Sequence, residues 1–326
     1  MHRRKFCLGA LGAGLLARTA ASQAAQIYPS RAVRVVVPYP AGGGPDIMMR
    51  QFGPALGAAL GQPVVVENKV GAGGVLAAQY VAHAPADGYT VLMGSNSHLI
   101  QKILQPKLNF DPVNDFIPVT IMGTSPSVLV VAASSPYRTV QDLIAALTAN
   151  PGKMNYGSGG VGSAAHLGGA TFVSLLKAKA THVPFKGSVE IPLSLLRGDT
   201  EFAFTIAGTA IPQTKGGKLR ALAVTSREPL AELPGVPTLH EVLNSDLAVQ
   251  EFWFDFWLPK NAPKLAVDTL YSATTKALAN DSVKRQFAAG GINVVHSASP
   301  QADAAFVRSE YQKWVNIIKL AGVTVG

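Results

Sequence analysis

Short β-branched runs alternate with longer stretches of helical spacing along most of the chain. Val33-Arg34-Val35-Val36-Val37 is the first such run. Residues 38–45 break it, and apolar positions then recur at helical intervals over 46–60. The cycle repeats with a strand at Val64-Val65-Val66-Glu67, a turn at Gly71-Ala72-Gly73-Gly74, a helix over 75–83 and a strand over 89–93. Alternation of this kind predicts a parallel sheet covered by helices on both faces. A strand at Val128-Leu129-Val130-Val131-Ala132 opens a second series: helix 140–149, strand 154–156, a glycine loop 157–162, helix 163–176, and strands at 182–185, 201–204 and 219–224. The remainder reads as helices over 265–279, 282–289 and 300–320 that return to the first unit. The expected architecture is α/β in two lobes, with 25–127 and 252–326 in lobe 1 and 128–251 in lobe 2.

Length agrees, since 326 residues exceed what one core usually organises at about 150 residues per domain. With 48% hydrophobic and 14% charged residues the chain is not an extended disordered one. The formal charge is +9, and removing Arg3, Arg4, Lys5 and Arg18 leaves 9 − 4 = +5. The remaining cations are dispersed without interleaved aromatics, which argues against a nucleic-acid groove and for a mild anion-attracting field. Those four residues lie in a leader: a basic start, an apolar stretch over 6–17, then small residues near Ser22-Gln23-Ala24. Residues 1–24 therefore read as a cleaved signal peptide, with the Arg3-Arg4 pair leaving twin-arginine and general export both open, and the mature chain is expected outside the cytoplasm. Cys7 is the single cysteine, so no disulfide or thiol chemistry is expected after cleavage.

Glycines between a strand and a helix let backbone approach a ligand while the helix N-terminus offers unpaired N–H groups, which makes an anion site. Gly42-Gly43-Gly44 before the helix at Asp46 has this form, as does the 157–162 loop before Ser163. The plainer alternative for the first is a tight turn with Asp46 as N-cap. Gly157-Ser158-Gly159-Gly160-Val161-Gly162 also matches the dinucleotide fingerprint G-x-G-x-x-G. However, the following strand ends at Lys186 with no acid before Glu190 to hold a ribose. An exported nucleotide-dependent enzyme using this loop is the competing reading. Nucleophile-elbow, zincin, P-loop and cysteine-pair signatures are absent, so no catalytic residue, metal or cofactor is expected. His98, His166, His182 and His240 are scattered, and only His166, in the first turn after the second loop, invites attention. The aromatic run from Phe252 to Trp257 reads as a core strand between the lobes, or as a cleft wall.

Together these segments resemble a known family. Tyr28-Pro29-Ser30-Arg31, Val37-Pro38-Tyr39-Pro40-Ala41-Gly42-Gly43-Gly44-Pro45-Asp46, Gly61-Gln62-Pro63-Val64, Asp87-Gly88-Tyr89-Thr90, His182-Val183-Pro184-Phe185-Lys186-Gly187 and Gly217-Lys218-Leu219-Arg220-Ala221-Leu222 are similar to the Bug family. These are extracytoplasmic solute-binding receptors of tripartite tricarboxylate transporters. The resemblance implies a Venus-flytrap fold, that is, two Rossmann-like lobes of the periplasmic-binding-protein type II class. It further implies a monomer that encloses a small carboxylated ligand, without catalysis, for membrane components of a transporter or for a sensor. In such receptors main-chain amides, small hydroxyls and ordered waters hold the carboxylate. The matching positions are Tyr39, Ala41, Gly42, Gly43 and Asp46 in the first loop, Ser158, Gly162, Ser163 and His166 in the second, and Ser95, Asn96, Ser97 and His98 in a third segment. Thr205 stands where many relatives carry Asp, which favours an organic acid over an amino acid. Gln101-Lys102 replaces a frequent Asn-Pro.

Overall fold

The computed structural model describes residues 27–185 and 190–324; the leader with Cys7, and Lys186, lie outside them. In chain order the elements are β1 (Val33–Val37), α1 (Gly44–Leu60), β2 (Val64–Asn68), α2 (Val75–Ala82), β3 (Thr90–Ser95), α3 (Asn96–Leu104) and β4 (Phe116–Ala132). Next come α4 (Val140–Ala149), β5 (Asn155–Ser158), α5 (Ala164–Leu175), β6 (Thr181–Pro184), α6 (Glu190–Arg197), β7 (Phe202–Ile206), α7 (Ala207–Lys215), β8 (Leu219–Val224) and α8 (Leu239–Leu243). β9 (Glu251–Pro259), α9 (Lys264–Leu278), α10 (Asp281–Ala289), β10 (Asn293–Val294) and α11 (Pro300–Ala321) complete the chain.

β4 is the spine. The run expected at 128–132 is only its second half, which pairs with β7 and β8, while its first half pairs with β9 and β10. Pro118 and Pro126 lack the N–H a ladder needs, and the register with β9 slips between Pro118 and Thr120 and again between Ile121 and Gly123. At the second slip the Ile121 N–H donates instead to Asp303 Oδ1 at 3.0 Å. These interruptions hide a long strand from a reading based on apolar runs.

Strand direction places the cleft. β9 is antiparallel to β3 and to β4, so β3 and its parallel neighbour β1 run the same way as β4. β7 is antiparallel to β4, and β5 runs with β7. The two sets of strands therefore point toward one another, and their C-terminal ends meet where β4 passes between the lobes. Thr225 ties this crossing together: its hydroxyl donates to the Gln250 carbonyl at 2.5 Å and accepts from Ser127 N–H at 2.9 Å.

Side-chain alternation sorts the cores. Val33, Val35 and Val37 face α1, α9 and α10, while Val36 faces the opposite core with α2, α3 and α11. That second core continues into lobe 2. α11 lies against α3, β4 and α5, so the C-terminal helix braces both lobes rather than lobe 1 alone. Trp253, Phe254, Phe256 and Trp257 are buried, as a core strand requires, and half-buried Phe252 turns its ring edge to Tyr39 at 6.2 Å. No described helix is long and apolar enough to cross a membrane.

Candidate functional site

The first loop leaves β1 at Val37 and enters α1 with Gly43 as N-cap and no side-chain cap. Gly42 sits at φ +77, the left-handed region that glycine tolerates without strain. Gly44 and Asp46 belong to the first helical turn, whose amides have no intrahelical acceptor, and Pro45 has no N–H to offer. Asp46 is not the N-cap. Its carboxylate is 2% exposed and reaches back, accepting from Gly42 N–H at 2.8 Å, from Arg50 Nε at 3.0 Å to each oxygen, and from Asn68 Nδ2 at 2.8 Å. Burial opposes the charge, but the bonds from Arg50, Gly42 and Asn68 outweigh it and hold the carboxyl below its usual range. Asn68 Nδ2 also donates to the Tyr39 carbonyl at 3.0 Å, so both ends of the loop hang on one carboxylate and one amide. Among the first-loop positions, Asp46 can offer a ligand its backbone amide, not its side chain.

At the end of β3, Tyr39 OH lies 3.0 Å from Ser95 Oγ and 3.2 Å from Ser97 Oγ, and the two serines are 2.6 Å apart. This trio joins the first loop to α3. Asn96 turns away from it, whereas His98 Nδ1 lies 3.4 Å from Ser95 Oγ and supports the trio from the core side. Asn96 is buried and donates to the Glu251 carbonyl at 3.2 Å. His98 accepts Ser95 N–H on Nδ1 at 3.2 Å and is tilted against Trp257. Burial drives its pKa down to about 4, so it is a neutral core residue.

In lobe 2 the loop between β5 and α5 carries Gly160 at φ +117 and Gly162 at φ +76. Ser163 caps α5 by accepting His166 N–H at 3.2 Å, which leaves the Ala164 and Ala165 amides without intrahelical partners. Gly162 N–H donates to His166 Nδ1 at 3.1 Å, and Ser158 Oγ is 2.6 Å from His182 Nε2. His182, given no role by the sequence, is brought here because β6 pairs with β5 in the register Tyr156↔His182.

A fourth helix, α7, was not anticipated. It begins after β7 with Ile206 as N-cap and no side-chain cap, so its first amides also lack partners. Thr205, just before it, is 2% exposed and its hydroxyl has no partner among the described residues. Two glycines mark close approaches between the halves of the chain. A Cβ on Gly162 would come 2.8 Å from Leu104 Cδ1 of α3, and one on Gly208 of α7 would come 2.4 Å from the Gly290 carbonyl oxygen.

The N-termini of α1, α3, α5 and α7 thus all follow the strand ends that meet at the crossing. Arg50, one helical turn into α1, is spent on Asp46. Among the described residues no group of three or more His, Cys, Asp or Glu could hold a metal ion. Surface cavities of about 680 and 460 Å³ lie elsewhere, the first between α1 and β2 and the second beside Arg31, Tyr80 and Asp87.

Comparison with known proteins gives a consistent result. Residues 48–323 match the family described as tripartite tricarboxylate transporter family receptor. Protein BugT of Bordetella pertussis (strain Tohama I) is 32% identical over 305 residues, 93% of each chain. Among solved structures, an R. palustris protein with adipate superposes at TM-score 0.81 with 30% identity, covering 91% of this chain and 99% of that one. MatC from Rhodopseudomonas palustris with bound malate gives TM-score 0.77 at 30% identity, covering 89% and 100%.

Proposed function

The chain belongs to the tripartite tricarboxylate transporter receptor family, whose members are solute-binding receptors and not enzymes, and from that premise we propose which solute it takes and how it holds it. It encloses a small carboxylate-bearing molecule between its lobes and delivers it to the membrane components of a transporter. It works as a monomer in the periplasm once the leader is removed.

One arrangement carries this reading: helix N-termini from both lobes follow strand ends that face each other, with no uncommitted cation in the loops named above. Unpaired amides at such ends hold anions through charge-assisted hydrogen bonds of about 1.5–3 kcal/mol each. They do so without burying a counter-charge. The ligand's carboxylates would lie on the Gly44 and Asp46 amides with the Tyr39, Ser95 and Ser97 hydroxyls, and on the Ala164 and Ala165 amides beside Ser163 and His166. Ala41, Gly42, Gly43, Ser158 and Gly162 shape these cradles. Neither Asp46, held by Arg50, nor Thr205 offers a free carboxylate for an ammonium group, which supports an organic acid over an amino acid. Adipate and malate in the two similar structures support the same class. The nucleotide-dependent alternative is disfavoured because β6 (Thr181–Pro184) contains no acid to hold a ribose.

Thermal unfolding of the mature protein against malate, adipate, citrate, glutamate and NAD tests the proposal. At least one acid without an amino group should raise the midpoint, since ligand at a hundredfold excess over Kd adds about 2.7 kcal/mol. Stabilisation by NAD alone would overturn it.

A further inference from the structure

Two imidazoles lie face to face beneath the second-lobe loop. His166, the third residue of α5, and His182, on β6, have ring centroids 3.7 Å apart and planes 9° from parallel. Tyr156 extends the stack, 5.1 Å from His182 at 29°. The hydrogen bonds on these rings are informative. Because Gly162 N–H donates to His166 Nδ1, that nitrogen carries the lone pair and a neutral ring carries its proton on Nε2. His182 Nε2 lies 2.6 Å from Ser158 Oγ, which in turn accepts Gly160 N–H at 3.1 Å. One imidazole thus anchors Gly162, and the other anchors Gly160 through a serine.

We infer that His182 is a positioning residue of the second-lobe loop. Stacked on His166 and bonded to Ser158, it holds the His166 ring where Nδ1 receives the Gly162 N–H and, through Ser158, holds Gly160, and so fixes the turn that presents the Ala164 and Ala165 amides. The inference rests on the reading that this loop receives a ligand carboxylate.

The electrostatics agree with the geometry. Burial first, and then repulsion from His182, bring His166 down to about 4; burial alone lowers His182. Among the described residues, the elements packed against α5 include β4, β5, β6, β7, α11 and the turn Asp246–Ala248, whose carboxylate pairs with Arg227 at 2.8 Å. They add no further charge to the shift of either ring: β5 presents Tyr156, a phenol pushed up to about 12 by burial and therefore neutral, and β6 presents His182 itself. Protonating His166 would set an Nδ1–H against the Gly162 N–H, so the anchor breaks when the ring charges. A loop held this way keeps its shape at neutral pH and loses it in acid.

The test uses the mature chain and two variants. His182→Phe keeps an aromatic ring on His166 but removes the bond to Ser158 and the second titrating group. Ser158→Ala removes the bond and leaves both rings. Imidazole nitrogen–proton NMR correlations read tautomer and titration of His166 without ligand, and calorimetry with malate as the probe reads affinity. The wild type should show His166 as the Nε2–H tautomer. His182→Phe should raise its titration by about one pH unit, a tenfold gain in proton affinity, and weaken malate by about tenfold at neutral pH. Ser158→Ala should weaken malate to a similar extent with the titration of His166 unmoved. An Nδ1–H tautomer in the wild type, or an unmoved titration in His182→Phe, overturns the inference. If the NMR outcomes hold but the wild type binds neither malate nor any other acid, the receptor reading fails while the positioning role of His182 stands.

Discussion

Arg50 Nε sits 3.0 Å from both carboxylate oxygens of Asp46, one helical turn away, and through that carboxylate it holds the Gly42 amide of the first loop. The ion pair is half exposed on the arginine side and buried on the aspartate side. Its worth is less Coulombic than geometric, because Asp46 has three separate donors to satisfy.

Asp46→Ala should therefore cost about 1–3 kcal/mol by leaving the Gly42 and Asn68 donors unpaired, and should lower ligand affinity in parallel. Urea unfolding and calorimetry with an acid ligand measure the two effects. The pH dependence has a fixed sign. The folded carboxyl lies below its usual range, so its stabilisation is present above the ordinary carboxylate pKa and is lost as pH falls through the depressed folded value. Asp46→Ala should flatten the acid limb of the stability curve.

Gly43→Val should abolish ligand-induced closure and leave the fold largely intact. The backbone at this N-cap, φ −74 and ψ 161, accepts a side chain, but a Cβ there would sit 3.1 Å from the Pro40 carbonyl, and the branched methyls would crowd the first-turn amides. Unchanged affinity by calorimetry would remove the first loop from the site.

Gly208→Ala should wedge the lobes. A Cβ would meet the Gly290 carbonyl oxygen at 2.4 Å, and neither backbone can step aside as a flexible side chain could. A destabilisation of about 1–3 kcal/mol and a larger radius of gyration by small-angle scattering are expected.

Asp255 and Asp303 predict a second pH effect of opposite sign. Asp255 Oδ2 accepts Trp257 Nε1–H at 2.8 Å, and Asp303 Oδ1 accepts from Ile121 N–H; the remaining oxygens, Asp255 Oδ1 and Asp303 Oδ2, have no other partner and can share one proton. Burial and the Asp303 carboxyl push Asp255 well above the ordinary range. Its stabilisation is present below the unfolded carboxyl value and is lost as pH rises through the raised folded value. Asp255→Asn supplies a permanent N–H in place of that proton, so it should retain the fold and remove this loss on the alkaline side of a denaturation series.

The sequence alone carried the α/β class, the strand–glycine–helix units of both loops and the family resemblance, because each is a local property: β-branched runs, turn residues and apolar spacing act over a few neighbours. It also singled out Ser95, Ser97 and His166, whose contact with a ligand is part of the proposal. Other features depend on which segments lie side by side. The seventeen-residue span of β4 is broken in sequence by Pro118, Gly123 and Pro126, and only its pairing with β9, β7 and β8 makes it one strand. α7 lacked a capping residue to announce it. Asp46 looked like a cap or a ligand contact, but Asn68, twenty-two residues away, and Arg50 turn its carboxylate into a brace. His182 gained a role only through its register with Tyr156. Hydrogen-bond partners and opposing strand directions are set by long-range contacts, and these the tertiary structure alone decides.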